Sequence, residues 1–127
     1  MGYRSQVVLA ISKHLTPFLT LATSQNAEAE SLVFKYADTF ERDYGGDKSW
    51  LIVWDGIKWY DSYEDIQTIC KFIDDAICDE YKFEDDDGNE GVSSEHIRFV
   101  RVGEESGDIE MMGDGFWDIY PSTHINY

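Results

Sequence analysis

Two short segments of the chain are apolar at almost every position, and they constrain the fold most. Gln6–Ile11 (QVVLAI) is rich in β-branched residues, and Trp50–Trp54 (WLIVW) is apolar on both of the faces that a strand presents. A strand with two apolar faces needs cover on both sides. The pattern therefore predicts two buried strands, the second of them central in its sheet.

Three stretches favour helices. The most regular is Ser62–Cys78, which opens on a capping-box pair, Ser62 and Asp65. Its apolar residues recur at helical spacing: Ile66, Ile69, Cys70, Ile73, Ala76 and Ile77. Thr16 and Pro17 fit the N-cap and first position of a helix that runs through Ala22. Asn26 fits the cap of another helix over Ala27–Phe34.

Two segments are open to more than one interpretation. Ala37–Tyr44 suits a helix or a strand, and the turn residues of Tyr44–Asp47 favour the strand. Asp55 and Gly56 suit a two-residue turn into a further strand over Ile57–Tyr60. Alternatively, the strand ends at Trp54 and Ile57–Tyr60 leads into the next helix.

The remaining strands are predicted at Tyr81–Phe83 and His96–Val102, on either side of the acidic loop Glu84–Ser94, and at Trp117–Tyr120. The resulting order is β-α-β-β-α-β with a C-terminal extension. This order predicts an α+β, ferredoxin-like fold: an antiparallel sheet with helices on one face plus a short C-terminal strand. A length of 127 residues fits a single domain.

The negative charge of the chain is concentrated in its second half. The formal net charge is −16; residues 1–63 carry eight acids and six bases, whereas residues 64–127 carry 18 acids and four bases. Such a field repels nucleic acid and anionic membranes and attracts a basic surface on a partner. An aromatic content of 15% separates the chain from disordered acidic tails.

The sequence indicates no catalytic site, no metal site and no cofactor. An EF-hand loop centred on Gly88 would place Phe83 at its first ligand position and Ser94 at its twelfth, and neither fits. A solvated hairpin loop is the favoured interpretation of this stretch, and a weak cation site of another kind stays open. His14, His96 and His124 show no paired ligand spacing.

Two further features bear on the compartment. Cys70 and Cys78 lie about 12 Å apart along one predicted helix, too far for a disulfide, so reduced thiols are expected. No segment approaches the about 20 apolar residues of a membrane span. We therefore expect a soluble protein of the cytoplasm.

The acidic clusters form the first predicted partner-binding site. Asp74 and Asp75 lie near the C-terminal end of a helix, where the helix dipole disfavours carboxylates. Acids at positions that the helix dipole disfavours suggest that their negative charge is itself functional, as on a protein face that imitates the phosphates of DNA. The site comprises Asp74, Asp75, Asp79, Glu80, Glu84, Asp85, Asp86, Asp87 and Glu90. A solvated acidic face that serves only solubility is the alternative.

Aromatic residues offer a second type of contact. Tyr60 and Tyr63 flank the start of the predicted helix, and tyrosines are frequent at interface hot spots. Trp50 and Trp54 are instead expected in the core. Whether Trp59 is exposed stays open.

Parts of the chain resemble a group of small acidic proteins of tailed bacteriophages. The resemblance rests on Met1–Ser5 followed by VVLAIS, on Trp54–Tyr60 (WDGIKWY), and on Ile97–Glu105 followed by Gly107–Glu110. It implies a phage accessory protein in the bacterial host cytoplasm. It transfers no functional residues, because the group is largely without assigned activity.

The leading hypothesis is a non-enzymatic phage inhibitor of the anti-CRISPR, anti-restriction or DNA-mimic type. Its partner would be a basic surface on a bacterial DNA-binding or defence protein, without direct contact to nucleic acid or membrane. The alternatives are a structural or regulatory interaction module that uses Tyr60 and Tyr63, and a small enzyme based on carboxylates.

Overall fold

The computed structural model describes residues 2–115, 117–121 and 125–127; Met1 and His124 lie outside this part of the chain. Its strands are β1 Ser5–Ile11, β2 Thr39–Tyr44, β3 Ser49–Ile57, β4 Ile97–Val102, β5 Ile109–Met112, β6 Tyr120–Pro121 and β7 Ile125–Asn126. Its α-helices are α1 Thr16–Ser24, α2 Ala27–Phe34 and α3 Glu64–Ile77. A short 3-10 helix at Ser93–His96 precedes β4.

Five of the strands form an antiparallel sheet in the order β2-β3-β1-β4-β5. Strand β1 lies at its centre, where Val8 pairs with Val53 on one side and Val100 on the other. The predicted α+β class is confirmed. The order differs from a four-stranded ferredoxin-like plan because a fifth strand, β5, occupies the edge beside β4.

Successive side chains of a strand point to opposite sides of the sheet, and the two sides of β1 pack into different cores. Val7, Leu9 and Ile11 belong to the core under the three helices. Val8 and Ala10 belong to a second, smaller core. This arrangement explains why Val7–Ile11 is apolar throughout, and it confirms the prediction of buried strands with helices on one face.

The second core is closed by the C-terminal segment. Trp117, Ile119 and Ile125 are buried there against the sheet. The sequence predicted one strand at Trp117–Tyr120; instead, only Tyr120 of this segment lies in a strand, β6, which pairs with β7. Tertiary packing of its apolar side chains determines the path of this segment.

The strand interpretation of Ala37–Tyr44 is confirmed by β2. The predicted turn at Asp55 and Gly56 is wrong, and so is the alternative that the strand ends at Trp54. Strand β3 continues through both residues to Ile57, which pairs with Ser5. The partner strand β1 is long enough to hydrogen-bond with this extension, and a register shift between Ser5 and Val7 accommodates it. Residues 58–63 then lead into α3.

The N-cap of helix α3 lies one residue later than the capping-box pattern predicts, and the helix runs over Glu64–Ile77 rather than Ser62–Cys78. Tyr63 is its N-cap, without a side-chain hydrogen bond, and Asp65 bonds to the backbone N–H of Ile66. The cap predicted at Asn26 is confirmed, since its side chain accepts a 2.8 Å hydrogen bond from Ala29 N. Helix α1 has Leu15 rather than Thr16 at its N-cap.

No strand forms at Tyr81–Phe83. The Tyr81 ring stacks on Phe18 of α1 and on Phe72 of α3, and the Phe83 ring stacks on His14. These aromatic contacts, rather than strand pairing, hold the segment that follows α3 against the helical layer. They also fix the position of the acidic loop.

Candidate functional site

The acidic loop after Phe83 closes as a hairpin through an antiparallel bridge between Glu84 and Glu90. The carboxylate of Asp85 accepts hydrogen bonds from the backbone N–H groups of Asp87 (3.0 Å) and Asn89 (2.9 Å). Asp85 therefore stabilises the turn, as Asp side chains commonly do in loops. Its Oδ1 is already engaged within the loop, which makes Asp85 a weak contact for a partner.

Asp86 ties the loop to the start of α1. Its Oδ1 lies 3.1 Å from Lys13 Nζ. His14 Nε2 lies 3.3 Å from the same oxygen, in a contact without hydrogen-bond geometry. The hydrogen bond from Lys13 lowers the pKa of Asp86. Asp86 thus has a cation within its own chain.

Two acids at the end of α3 also have local partners. Asp75 forms a 2.8 Å ion pair with Lys71, one helical turn earlier. Asp79 adopts a left-handed backbone conformation (φ 57°) and accepts a 2.9 Å hydrogen bond from the backbone N–H of Ser94, which lowers the pKa of Asp79. Asp79 therefore links the end of α3 to the 3-10 helix before β4.

The other predicted acids are less engaged. Glu90 lies 3.5 Å from Lys82 in an exposed pair. Within the described part of the chain, no ion pair involves the remaining four, which are all exposed: Asp74, Glu80, Glu84 and Asp87. The predicted site thus divides into acids that stabilise the fold and acids that are free to meet a partner.

The predicted aromatic residues lie together at the surface. The rings of Tyr60 and Tyr63 are 5.1 Å apart, and Tyr63 is 41% exposed. Tyr63 also lines a shallow surface depression together with Tyr36, which is 62% exposed. Trp54 is buried as predicted, and its indole N–H donates to the carbonyl of Leu32.

A cluster around Arg101 was not predicted from the sequence. Arg101 Nη2 lies 2.6 Å from Asp108 Oδ1, and Nη1 lies 3.2 Å from Oδ2, so the pair is bidentate. Arg101 Nε donates to Glu110 at 2.8 Å, and Nη1 donates to Ser5 Oγ at 2.9 Å. The Tyr3 hydroxyl donates to Asp108 at 2.6 Å.

This cluster forms one wall of a pocket of about 260 Å³ between α3, β4 and β5. Cys70, Ile73 and Asp74 line the pocket from α3, where their spacing places them on one helix face. The other lining residues are Tyr3, Trp59, Asp61, Phe99, Arg101, Asp108, Glu110 and Met112. We call this site the β5 pocket.

The β5 pocket is strongly negative. Burial raises the pKa of the Cys70 thiol to about 11, and Asp61, Asp74 and Glu110 contribute to the increase. A hydrogen bond with Trp59 opposes it. A thiol with so high a pKa stays protonated near neutral pH and is a weak nucleophile.

The β5 pocket joins two acidic stretches that are separate in the sequence. Asp74 comes from the helix, whereas Asp108 and Glu110 come from the hairpin between β4 and β5. Only Asp74 of the predicted site residues lines this pocket. For Asp108 and Glu110, the only signal in the sequence was the acidic run around Glu110. Their contacts with Arg101 and Tyr3 depend on the order of the strands in the sheet, which the sequence does not show.

The chain matches no protein-family model, no curated protein and no solved structure. The resemblance to proteins of tailed phages therefore stays a prediction. Among the described residues, no three or more His, Cys, Asp or Glu side chains are grouped so that they could hold a metal ion. None of the described helices has the length and apolar character needed to cross a membrane. Cys70 and Cys78 are both free thiols.

Proposed function

We propose that the protein is a non-enzymatic accessory protein of a tailed bacteriophage. In this role it binds and inhibits a bacterial DNA-binding or defence protein in the host cytoplasm. The contact is made by exposed carboxylates on a basic surface of the partner, in competition with the phosphates of DNA.

This proposal rests on one observation: each of the four cationic side chains in residues 64–127 is already engaged by a partner within the chain. Lys71, Lys82 and Arg101 each lie within 3.5 Å of a carboxylate of the same region, and Arg98 donates to the carbonyl of Gly115. Three of the four cations of the acidic half are therefore paired with its own carboxylates, and the fourth is engaged by a backbone carbonyl, while carboxylates such as Glu80 and Asp87 stay exposed. A basic partner would supply the missing countercharge.

The chemistry of the β5 pocket supports a non-enzymatic role. Its thiol, Cys70, has a raised pKa, whereas catalytic thiols have a lowered one. Asp108 and Glu110 are engaged by Arg101, so they are poorly placed to exchange protons with a substrate.

The experiment is a charge reversal with a matched control. The test variant carries Glu80→Lys, Glu84→Lys and Asp87→Lys, and the control carries Glu28→Lys, Glu30→Lys and Glu41→Lys. All six residues are exposed, and both variants change the net charge equally. Each protein is immobilised and exposed to lysate of a bacterial host, and captured proteins are identified by mass spectrometry.

We expect the wild type and the control variant to retain the same basic protein, and the test variant to lose it. Recovery should fall when salt is increased from about 0.1 M to about 1 M, because the screening length shortens from about 10 Å to about 3 Å. Double-stranded DNA should release the captured protein. Equal capture by both variants, or capture that is insensitive to salt, would count against the proposal.

A second candidate function is an interaction module that uses the aromatic residues. It is favoured by the exposure of Tyr36 and Tyr63 beside the same depression. In that case Tyr60→Ala combined with Tyr63→Ala should abolish capture, whereas the three charge reversals should leave it intact.

We also propose that the sheet is an extended form of the ferredoxin-like arrangement. The supporting observation is that strands β2, β3, β1 and β4 are neighbours, that all their pairings are antiparallel, and that helices lie between β1 and β2 and between β3 and β4. Strand β5 would then be an addition at the edge. An experimental structure that places β5 elsewhere, or that changes this order, would contradict the proposal.

A further inference from the structure

The β5 pocket has the size of a site for one small group. Its volume of about 260 Å³ lies just below the range of roughly 300–1,000 Å³ that is typical of sites for drug-sized ligands. It can hold the end of an amino-acid side chain or a short amine more easily than a nucleotide. The chemistry of its walls determines which kind of group.

One wall is aromatic. Trp59 is half-buried, and its ring lies 5.7 Å from that of Trp54 and 5.8 Å from that of Phe99. These contacts hold the indole in place beside the pocket. Tryptophan is the aromatic side chain that attracts a cation most strongly through its ring face.

Arg101, the cation of the pocket, has no free donor nitrogen for an anionic ligand. All three nitrogens of the Arg101 guanidinium donate within the chain, to Asp108, Glu110 and Ser5. The Arg101 side chain is only 11% exposed. An anion entering the pocket would meet the carboxylates without a free guanidinium donor to compensate.

Two carboxylates of the pocket have no cation paired with them in the described part of the chain. Asp61 and Asp74 are exposed, and no ion pair within the described residues involves either of them. Both act on the Cys70 thiol in the same direction, towards the protonated form. The pocket therefore combines an aromatic wall with unneutralised negative charge at one place.

We propose that the β5 pocket binds an organic cation, an alkylammonium or guanidinium group, between Trp59 and the carboxylates of Asp61 and Asp74. The same chemistry is offered by a lysine or arginine side chain of a protein and by a free aliphatic diamine. A metal ion fits less well, because no group of three or more described metal-ligating side chains is present.

The test uses the isolated protein and small amines, so its outcome is independent of whether the exposed loop acids bind a partner. The probes are N-acetyl-lysine amide and N-acetyl-arginine amide, and N-acetyl-norleucine amide is the uncharged control. Binding is followed through the indole N–H signal of Trp59 in a ¹⁵N-labelled sample, assigned with Trp59→Phe.

We expect saturable shifts of the Trp59 signal with both cationic probes and none with the norleucine derivative. Asp61→Asn and Asp74→Asn should each weaken binding roughly two- to fivefold, the range of partly exposed ion pairs. Glu64→Gln is the matched control, because Glu64 is an exposed acid of α3 that lies outside the pocket; this variant should bind as the wild type does. The remaining indole signals report whether each variant is folded.

Butane-1,4-diamine distinguishes the two sources of the cation. A diamine that binds more than about tenfold tighter than N-acetyl-lysine amide assigns the pocket to free diamines, whereas comparable affinities assign it to a protein side chain. Equal shifts from the norleucine derivative would overturn the proposal. So would unchanged binding by a folded variant that carries both Asp61→Asn and Asp74→Asn.

Discussion

The guanidinium of Arg101 and the carboxylate of Asp108 form a bidentate ion pair across the hairpin between β4 and β5, with its shorter contact at 2.6 Å. Hydrogen bonds from Arg101 and Tyr3 lower the pKa of Asp108. Because Tyr3 precedes β1 and also donates to Asp108, these contacts join the chain before β1 to β4 and to the turn before β5. It is the polar link that orders one wall of the β5 pocket.

Arg101→Met should destabilise the protein by about 1–3 kcal/mol, because it removes the hydrogen bonds and the positive charge of a guanidinium whose side chain is only 11% exposed. Lys71→Met is the matched control, since it also removes the cation of an ion pair, but at a site that is 76% exposed. Its effect should be smaller, because exposed pairs contribute little. Urea unfolding measures both variants. Equal midpoints for Arg101→Met and the wild type would contradict this role.

Stability should depend on pH through His96. The pKa of His96 is lowered from 6.5, mainly by burial and also by the neighbouring His14. The unfolded chain therefore takes up this proton at a higher pH than the folded protein does. The contribution of His96 is complete above about pH 6.5 and is lost as the pH falls through the folded-state pKa.

Urea unfolding at several values between about pH 7.5 and about pH 5 tests this dependence. Glu95, Asp85 and Asp86 favour the charged ring and reduce the effect without reversing its sign. His96→Gln should flatten the pH dependence, because glutamine does not titrate. A wild-type stability that rises as the pH falls across this window would contradict the expectation.

The sequence predicted the layers of the fold better than the site, and the reason lies in the range of the interactions. The alternation of Val7 and Val8 between two cores is a local pattern, and so is the cap at Asn26. The path of Tyr81–Phe83 depends instead on partners in α1 and α3. Local propensity carries no information about such contacts.

The same limit applies to the acidic residues. Asp79 and Asp86 were predicted as partner contacts, but their own partners, Ser94 and Lys13, are 15 and 73 positions away along the chain. Strand β5 was missed because Glu110 interrupts an apolar run of only four residues. Its pairing with β4 is what makes it a strand, and the β5 pocket exists only through that pairing.

Gly113→Ala should destabilise the protein far more than Gly46→Ala. Both glycines have positive φ, 90° and 79°, so alanine is strained at either position by about 1–2 kcal/mol. At Gly113, however, the added Cβ would lie 2.1 Å from the backbone oxygen of Ile97, whereas nothing lies within 4 Å at Gly46. The close approach should add a further loss of about 1–3 kcal/mol.

Thermal and urea unfolding of both glycine variants check this comparison. The difference between them isolates the packing of the chain after β5 against the start of β4, because the backbone strain is shared. Equal stabilities of the two variants would show that the chain after β5 can move away from Ile97 at little cost.

Cys70 should react with iodoacetamide much more slowly than Cys78. With a pKa of about 11, only about one Cys70 thiol in a thousand is ionised at about pH 8, and the thiolate is the reactive form. Cys78 is exposed at the end of α3 and serves as the internal reference. Mass spectrometry of the alkylated peptides follows both sites in one sample.

The rate at Cys70 should increase with pH up to about 11, because the fraction of thiolate increases over that range. Asp61→Asn together with Asp74→Asn should accelerate alkylation of Cys70 at about pH 8, because removal of two negative charges lowers the pKa of a thiol. Glu64→Gln should leave the rate unchanged. If the pair of Asn substitutions has no effect although the protein is folded, the two carboxylates do not act on the Cys70 thiol, and burial accounts for most of its raised pKa.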